Sequence, residues 1–377
     1  MNFNINTKTL LGVLVAAGKT LPSKTHVQIL TNFLFRVKGD TVTVTASDEE
    51  MAVCSVIPNA LAVEDGAMCV GATLMIDLLR RMGDMQICVS TAGDGMAVVS
   101  HKAGSYRLPT VPVAEYPLRE FDVEGAVEFR CLGSQLSHGF DHTSFAVAEE
   151  NIRPVLTGVY IEADGEGLTF AATDTHILSK YRDTEADPGA ECRVILSAKS
   201  VKVLRGIIRD DTAVKVTVTD KAVQFASDSF TLQATRVRGN YPDFNRVIPR
   251  DYANSCEIDR ETLEKCVKRV SVCAPSSGGI MLSFGAGSLT VVAHDSALGL
   301  NATERMEAVY QGGPVRMVVE AGQLAEILEA ITCPKVRMKF VSPERPLLIQ
   351  PFENVPSGEM TVIDMPLSIE NYAGVEV

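Results

Sequence analysis

Three stretches of this chain share one pattern: VTASDEEMAV (44–53), FAATDTHILS (170–179) and VVAHDSALGL (291–300). In each, β-type residues lead to a small residue, a polar one, an Asp, two loosely chosen positions and a further apolar run. The aspartates are Asp48, Asp174 and Asp295, set 126 and 121 residues apart. An internal repeat at a near-constant interval constrains architecture more than any local propensity, because each copy must fold into a similar unit. A chain of 377 residues is too long for one ordinary core and divides naturally into three blocks of common domain size.

The surroundings of each Asp repeat as well. Upstream stand QILTNFLFRVKGDTVTV, PVLTGVYIEADGEGLTF and GGIMLSFGAGSLTV, each an apolar strand, a turn rich in Gly or Asp and a second strand, which is a hairpin signal. Helical periodicity is expected over 7–20, 133–146 and 259–273 before the hairpins, and over 72–82, 197–209 and 321–331 after them. Alternating strands follow, such as VRMKFV, where Val336, Met338 and Phe340 oppose Arg337 and Lys339. The links EYPLREFD and NYPDFNRVIPRDY each carry a Tyr-Pro pair, at 116–117 and 241–242, and mark boundaries. The expected division is 1–122, 123–249 and 250–377, three α+β domains.

Composition removes several classes of function. Nine cysteines, none in a C-x-x-C pair, argue for reduced, mostly buried thiols rather than disulfides or structural zinc. The apolar run from Leu10 to Ala17 has no basic head and is far too short to span a membrane, so a cytoplasmic protein without membrane contact is expected. A net charge of −12 excludes a general coating of nucleic acid, though not a local basic surface.

Two motifs mislead. GVLVAAGKT, from Gly12 to Thr20, looks like a phosphate-binding loop and would support a nucleotide-binding enzyme. It has five residues between its glycines where that motif needs four, and they are apolar at helical spacing. HGFDH sets His138 and His142 on one helical face, with Asp141 where a metalloprotease would carry Glu and no third ligand in sight. No catalytic constellation, metal or cofactor site emerges. The segment SAKSVKVLRGIIR is more informative. On a helix, Lys199, Lys202, Arg205 and Arg209 form one basic stripe opposite Val203, Leu204, Ile207 and Ile208.

Taken together, the order and spacing of ILTNFLF, ASDEEMA, RPVLTGVYIE, AATDTHIL, NYPDFNRVIP, VRMKF and DMPL make the whole chain resemble the bacterial replicative sliding clamps, the β subunits of DNA polymerase III. The resemblance implies a non-catalytic processivity factor of three similar domains. Two chains would pair head to tail into a six-domain ring around duplex DNA, helices inside and sheets outside. Partners would be double-stranded DNA without sequence preference, the replicative polymerase, the clamp loader and other clients docking by short peptide motifs. Carried over residue by residue, family DNA contacts fall on Lys24, Thr73 and Glu150, the last an acid where a neutral polar group is usual. The dimer contact falls on Tyr106, Leu108, Val272 and Cys273. The client-peptide pocket falls on Leu156, Thr173, Thr175, His176, Ile177, Leu178, Pro242, Arg246, Val247, Ile363, Met365, Pro366 and Leu367. Ile177 and Ser368 stand where basic side chains are familiar, and ENYAGVEV runs past the usual end, placed to cover part of that groove.

Overall fold

A computed structural model describes residues 1–118, 120–149, 153–353 and 358–372 of the chain. Among the described residues six α-helices carry the periodic segments: α1 Thr7–Gly18, α2 Ala72–Met82, α3 Gly133–Asp141, α4 Ala198–Ile207, α5 Arg260–Val270 and α6 Ala321–Ala330. Local chemistry starts several of them. Asn6, Ser197, Asp259 and Glu320 each stand at an N-cap and accept hydrogen bonds from first-turn backbone N–H groups, which would otherwise lack partners.

The three Asp motifs fold alike. Each ends a strand, and its carboxylate takes the two N–H groups that turn the chain into the next strand. Asp48 Oδ1 accepts from Glu50 (2.8 Å) and Met51 (2.5 Å), Asp174 Oδ1 from His176 and Ile177 (2.7 Å each), and Asp295 Oδ1 from Ala297 and Leu298 (2.8 and 3.1 Å). The repeated aspartate is thus a turn-former, the short polar side chain satisfying local donors that the ladder cannot. Each block also buries an aromatic pair under its hairpin: Phe3 with Phe35, Phe140 with Phe170, and Phe284 with Phe340, at centroid distances of 6.2, 5.6 and 4.8 Å.

The chain forms two compact units, Met1–Ser137 with Pro188–Val237, and His138–Asp187 with Arg238–Val377. In the first, thirteen strands join one sheet, because Phe230–Thr235 pairs antiparallel with Met51–Val56, register Phe230↔Ser55. In the second, Ile177–Asp183 pairs with Gly358–Asp364, Leu178 opposite Ile363. Open strand edges of one block are closed by the next, which removes exposed donors and acceptors.

Residues 12–18 lie inside α1. Backbone N–H groups there are committed to the helix, so no phosphate-cradling loop forms and the nucleotide-enzyme reading is withdrawn. His142 is buried, its Nδ1 2.8 Å from Ala330 O, and burial lowers its pKa. It is a neutral core histidine. Among the described residues no cluster of His, Cys, Asp or Glu is arranged to hold a metal, and no helix is long and apolar enough to cross a membrane.

Candidate DNA face and peptide groove

In the first unit, α4 buries Ser200, Val201, Val203 and Leu204 and exposes Lys199 and Lys202, the polarity expected from its sequence. Its extent differs from expectation. The helix stops at Ile207, and Ile208 turns to extended backbone at ψ 143°, where its side chain becomes buried. Arg209 therefore leaves the stripe and lines an open cleft with Arg130, Lys215 and Asp211. Lys199 is partly diverted as well. Its Nζ pairs with Asp48 Oδ2, so the first Asp motif holds a turn with one oxygen and this lysine with the other.

Lys19 is a neighbour that periodicity could not supply. Its side chain crosses the last turn of α4 so closely that a Cβ at Gly206 would lie 2.9 Å from Nζ. The ammonium thereby sits near the negative end of the helix. Lys24 is exposed beyond α1, and Thr73 is exposed in the first turn of α2. Glu150 lies outside the described residues.

In the second unit, three segments distant in sequence converge. Strand pairing sets Ile177 and Leu178 beside Asp364 and Ile363. Met365 N donates to His176 O (3.0 Å), and Leu367 N donates to Val318 O (2.8 Å). Thr173 Oγ1 accepts from Thr175 N (3.1 Å) and donates to Ile177 O (2.6 Å). The 241–247 segment is held by aromatic contacts: Tyr241 stacks on Tyr160 at 5.0 Å, and Phe244 meets the same ring edge-on at 5.7 Å. The thirteen candidates separate by exposure. Leu156, Ile177, Leu178 and Ile363 are buried. Thr173, Pro242, Pro366 and Leu367 are half-buried, while Thr175, His176, Arg246, Val247 and Met365 are exposed. Arg246 is tethered through Nε to Asp243 (2.9 Å). Of the tail expected to cover part of this groove, residues 373–377 lie outside the described residues.

Two features here escape sequence reasoning. Thr175 sits at φ 89°, a region unfavourable for a β-branched residue. Asp364 is fully buried, and neither carboxylate oxygen has a hydrogen-bond partner among the described residues. Burial pushes its pKa up to about 8, with Glu320 and Asp174 adding to the effect. The motif MTVIDMPL shows strand periodicity, but nothing in it signals that this Asp faces inward.

The interface candidates also differ among themselves. Val272 is 78% exposed and Tyr106 41%. Leu108 is 6% exposed, so it packs inside its own unit and is no surface anchor of the isolated chain.

Three family models match in succession: the N-terminal domain of the DNA polymerase III beta subunit over residues 1–120, its central domain over 133–243 and its C-terminal domain over 245–366. The Caulobacter vibrioides beta sliding clamp is 27% identical over 361 residues, covering 93% of this chain and 95% of that one. The Escherichia coli K12 beta sliding clamp is 24% identical over 372 residues, 98% and 100% of the two chains. Among solved structures, the DNA polymerase III subunit beta of Pseudomonas aeruginosa superposes with a TM-score of 0.87 at 25% identity, covering 97% of this chain and all of that one. The Streptococcus pyogenes beta subunit, at 22% identity, shares the fold with a TM-score of 0.89 over 97% of this chain and all of that one. A repeat of three α+β blocks, matched end to end by three successive models of one subunit, leaves a single assignment: the chain belongs to the family of bacterial DNA polymerase III beta subunits, the beta sliding clamps.

Proposed function

We propose that this chain acts as a non-catalytic DNA sliding clamp in the cytoplasm, two copies closing head to tail into a ring that encircles duplex DNA and tethers the replicative polymerase and other clients. The observation that carries the reading is the pair of open strand edges. Gly104–Val111 pairs with Met96–His101, but among the described residues its other edge is engaged only at Thr110 and Val111, against Val70 and Cys69. Leu300–Glu307 ends its four-stranded sheet, paired on one side by Ser288–Asp295. Edges of this length invite strand addition, and joining one to the other in a partner copy gives a heterologous contact that closes after two subunits. Exposed Tyr106, Val272 and Leu298 beside these edges supply apolar surface for it.

Such a ring holds DNA by topology. Weak phosphate contacts from α4 and its basic neighbours centre the duplex without reading sequence, while an acidic total charge discourages DNA elsewhere. With the buried candidates as floor and the exposed ones as rim, the second unit suits a shallow peptide groove, with micromolar binding of a short peptide bearing Leu and Phe anchors, about 8 kcal/mol. Retention on nicked circular DNA, abolished when that DNA is linearised, is the expected behaviour. Equal retention on both forms refutes the topological reading.

A further inference from the structure

The chain does not end at the groove. After Leu367 it forms a short 3-10 turn, Ile369–Tyr372, and Tyr372 is 3% exposed. Its ring packs in a cluster with Met281, Val292 and Val318, against which Leu367 also lies. Its hydroxyl donates to Gly279 O at 2.6 Å. Val318 and Leu367 both come within ordinary van der Waals reach of Gly279, 3.4 and 3.6 Å from where a Cβ would stand. Leu367 is therefore held from two directions. Its backbone bridges to Val318, and its side chain shares an apolar cluster with a tyrosine five residues on.

From this we infer that Tyr372 is a latch, a positioning residue that fixes Met365, Pro366 and Leu367 as the ordered rim of the client-peptide groove. The inference rests on the groove reading above. A segment that has left its sheet is ordered only where something ties it down, and left free it carries a substantial conformational entropy. A buried aromatic with a satisfied hydroxyl removes most of that freedom in advance. Peptide binding then does not have to order the rim, and the competent fraction of the protein stays near one. Without the latch, the rim keeps two backbone hydrogen bonds, Met365 N to His176 O and Leu367 N to Val318 O, and loses the side-chain packing that holds Leu367.

The experiment is calorimetric titration of a short synthetic peptide with Leu and Phe anchors into the full chain and its variants. Tyr372→Ala is expected to weaken binding about tenfold, and Tyr372→Phe, which keeps the ring and removes one hydrogen bond, about threefold or less. Hydrogen exchange at the Leu367 amide should accelerate in Tyr372→Ala while amides of Gly279–Gly285 stay protected, which separates a loosened rim from a loosened fold. Unchanged affinity in Tyr372→Ala overturns the latch, and so does tighter binding, which would make the tail a competitor of clients. The groove reading fails separately, if the unaltered chain does not bind the peptide or if Met365→Ala with Pro366→Ala binds it fully.

Discussion

Asp364 offers a sharp test of how this structure handles a buried charge. Its carboxyl is fully enclosed, without a hydrogen-bond partner among the described residues, at the end of a strand between Ile177 and Leu347. The two nearby acids cannot relieve it. Asp174 already accepts from two backbone N–H groups, and Glu320 accepts from Gly322 and Gln323. An ionised, unpartnered carboxylate in such a place is expensive, so the group stays protonated instead. With its pKa raised from 3.8 to about 8, the folded chain keeps a proton that the unfolded chain releases. Stability is therefore fully present below about pH 4 for this group and falls as pH rises through the window up to about 8.

Asp364→Asn abolishes that titration while preserving size. The stability difference between the variant and the unaltered chain should grow by up to about 1.4 kcal/mol per pH unit between about pH 5 and pH 8, the slope of one proton. Several kcal/mol would separate them at the alkaline end. Every other titrating group is common to both proteins and cancels in the difference. Urea denaturation at a series of pH values across that range measures it. A difference independent of pH would mean that Asp364 is ionised in the fold, and would refute the reasoning.

Three further outcomes follow from the same geometry. Replacing Lys199, Lys202 and Arg205 by Gln should weaken DNA association and reduce the log–log salt slope by up to about 0.9 for each phosphate no longer neutralised; Arg209→Gln should change it less, and an unchanged slope in the triple variant would put α4 away from DNA. Tyr106→Glu with Val272→Glu should give monomers by light scattering, whereas Leu108, being buried, reports on stability; a dimer that survives the double change at low concentration would count against this interface. Thr175→Gly should raise stability by roughly 1 kcal/mol, since it relieves a β-branched residue at φ 89°. Thermal melts with no gain, or with a decrease, would show that the position carries no strain.

Everything held by short-range bonds was legible in the chain alone. Four of the helices begin at capping side chains and follow a visible apolar period, and the Asp turns close over two and three residues, so their chemistry lies within the motif that repeats. The inner face of α4 was readable for the same reason. Partners far apart along the chain had to wait for the folded arrangement. Arg209 left its stripe because the helix ends at Ile207 and Ile208 turns to extended backbone. Lys199 met Asp48, 151 residues away, and Lys19 met Gly206. Blocks that repeat in sequence share sheets in space, because an unpaired edge is satisfied by whichever strand the fold brings to it. Asp364 and Tyr372 are ordinary letters in the sequence. Burial, which depends on the whole arrangement, makes one a neutral acid and the other an anchor.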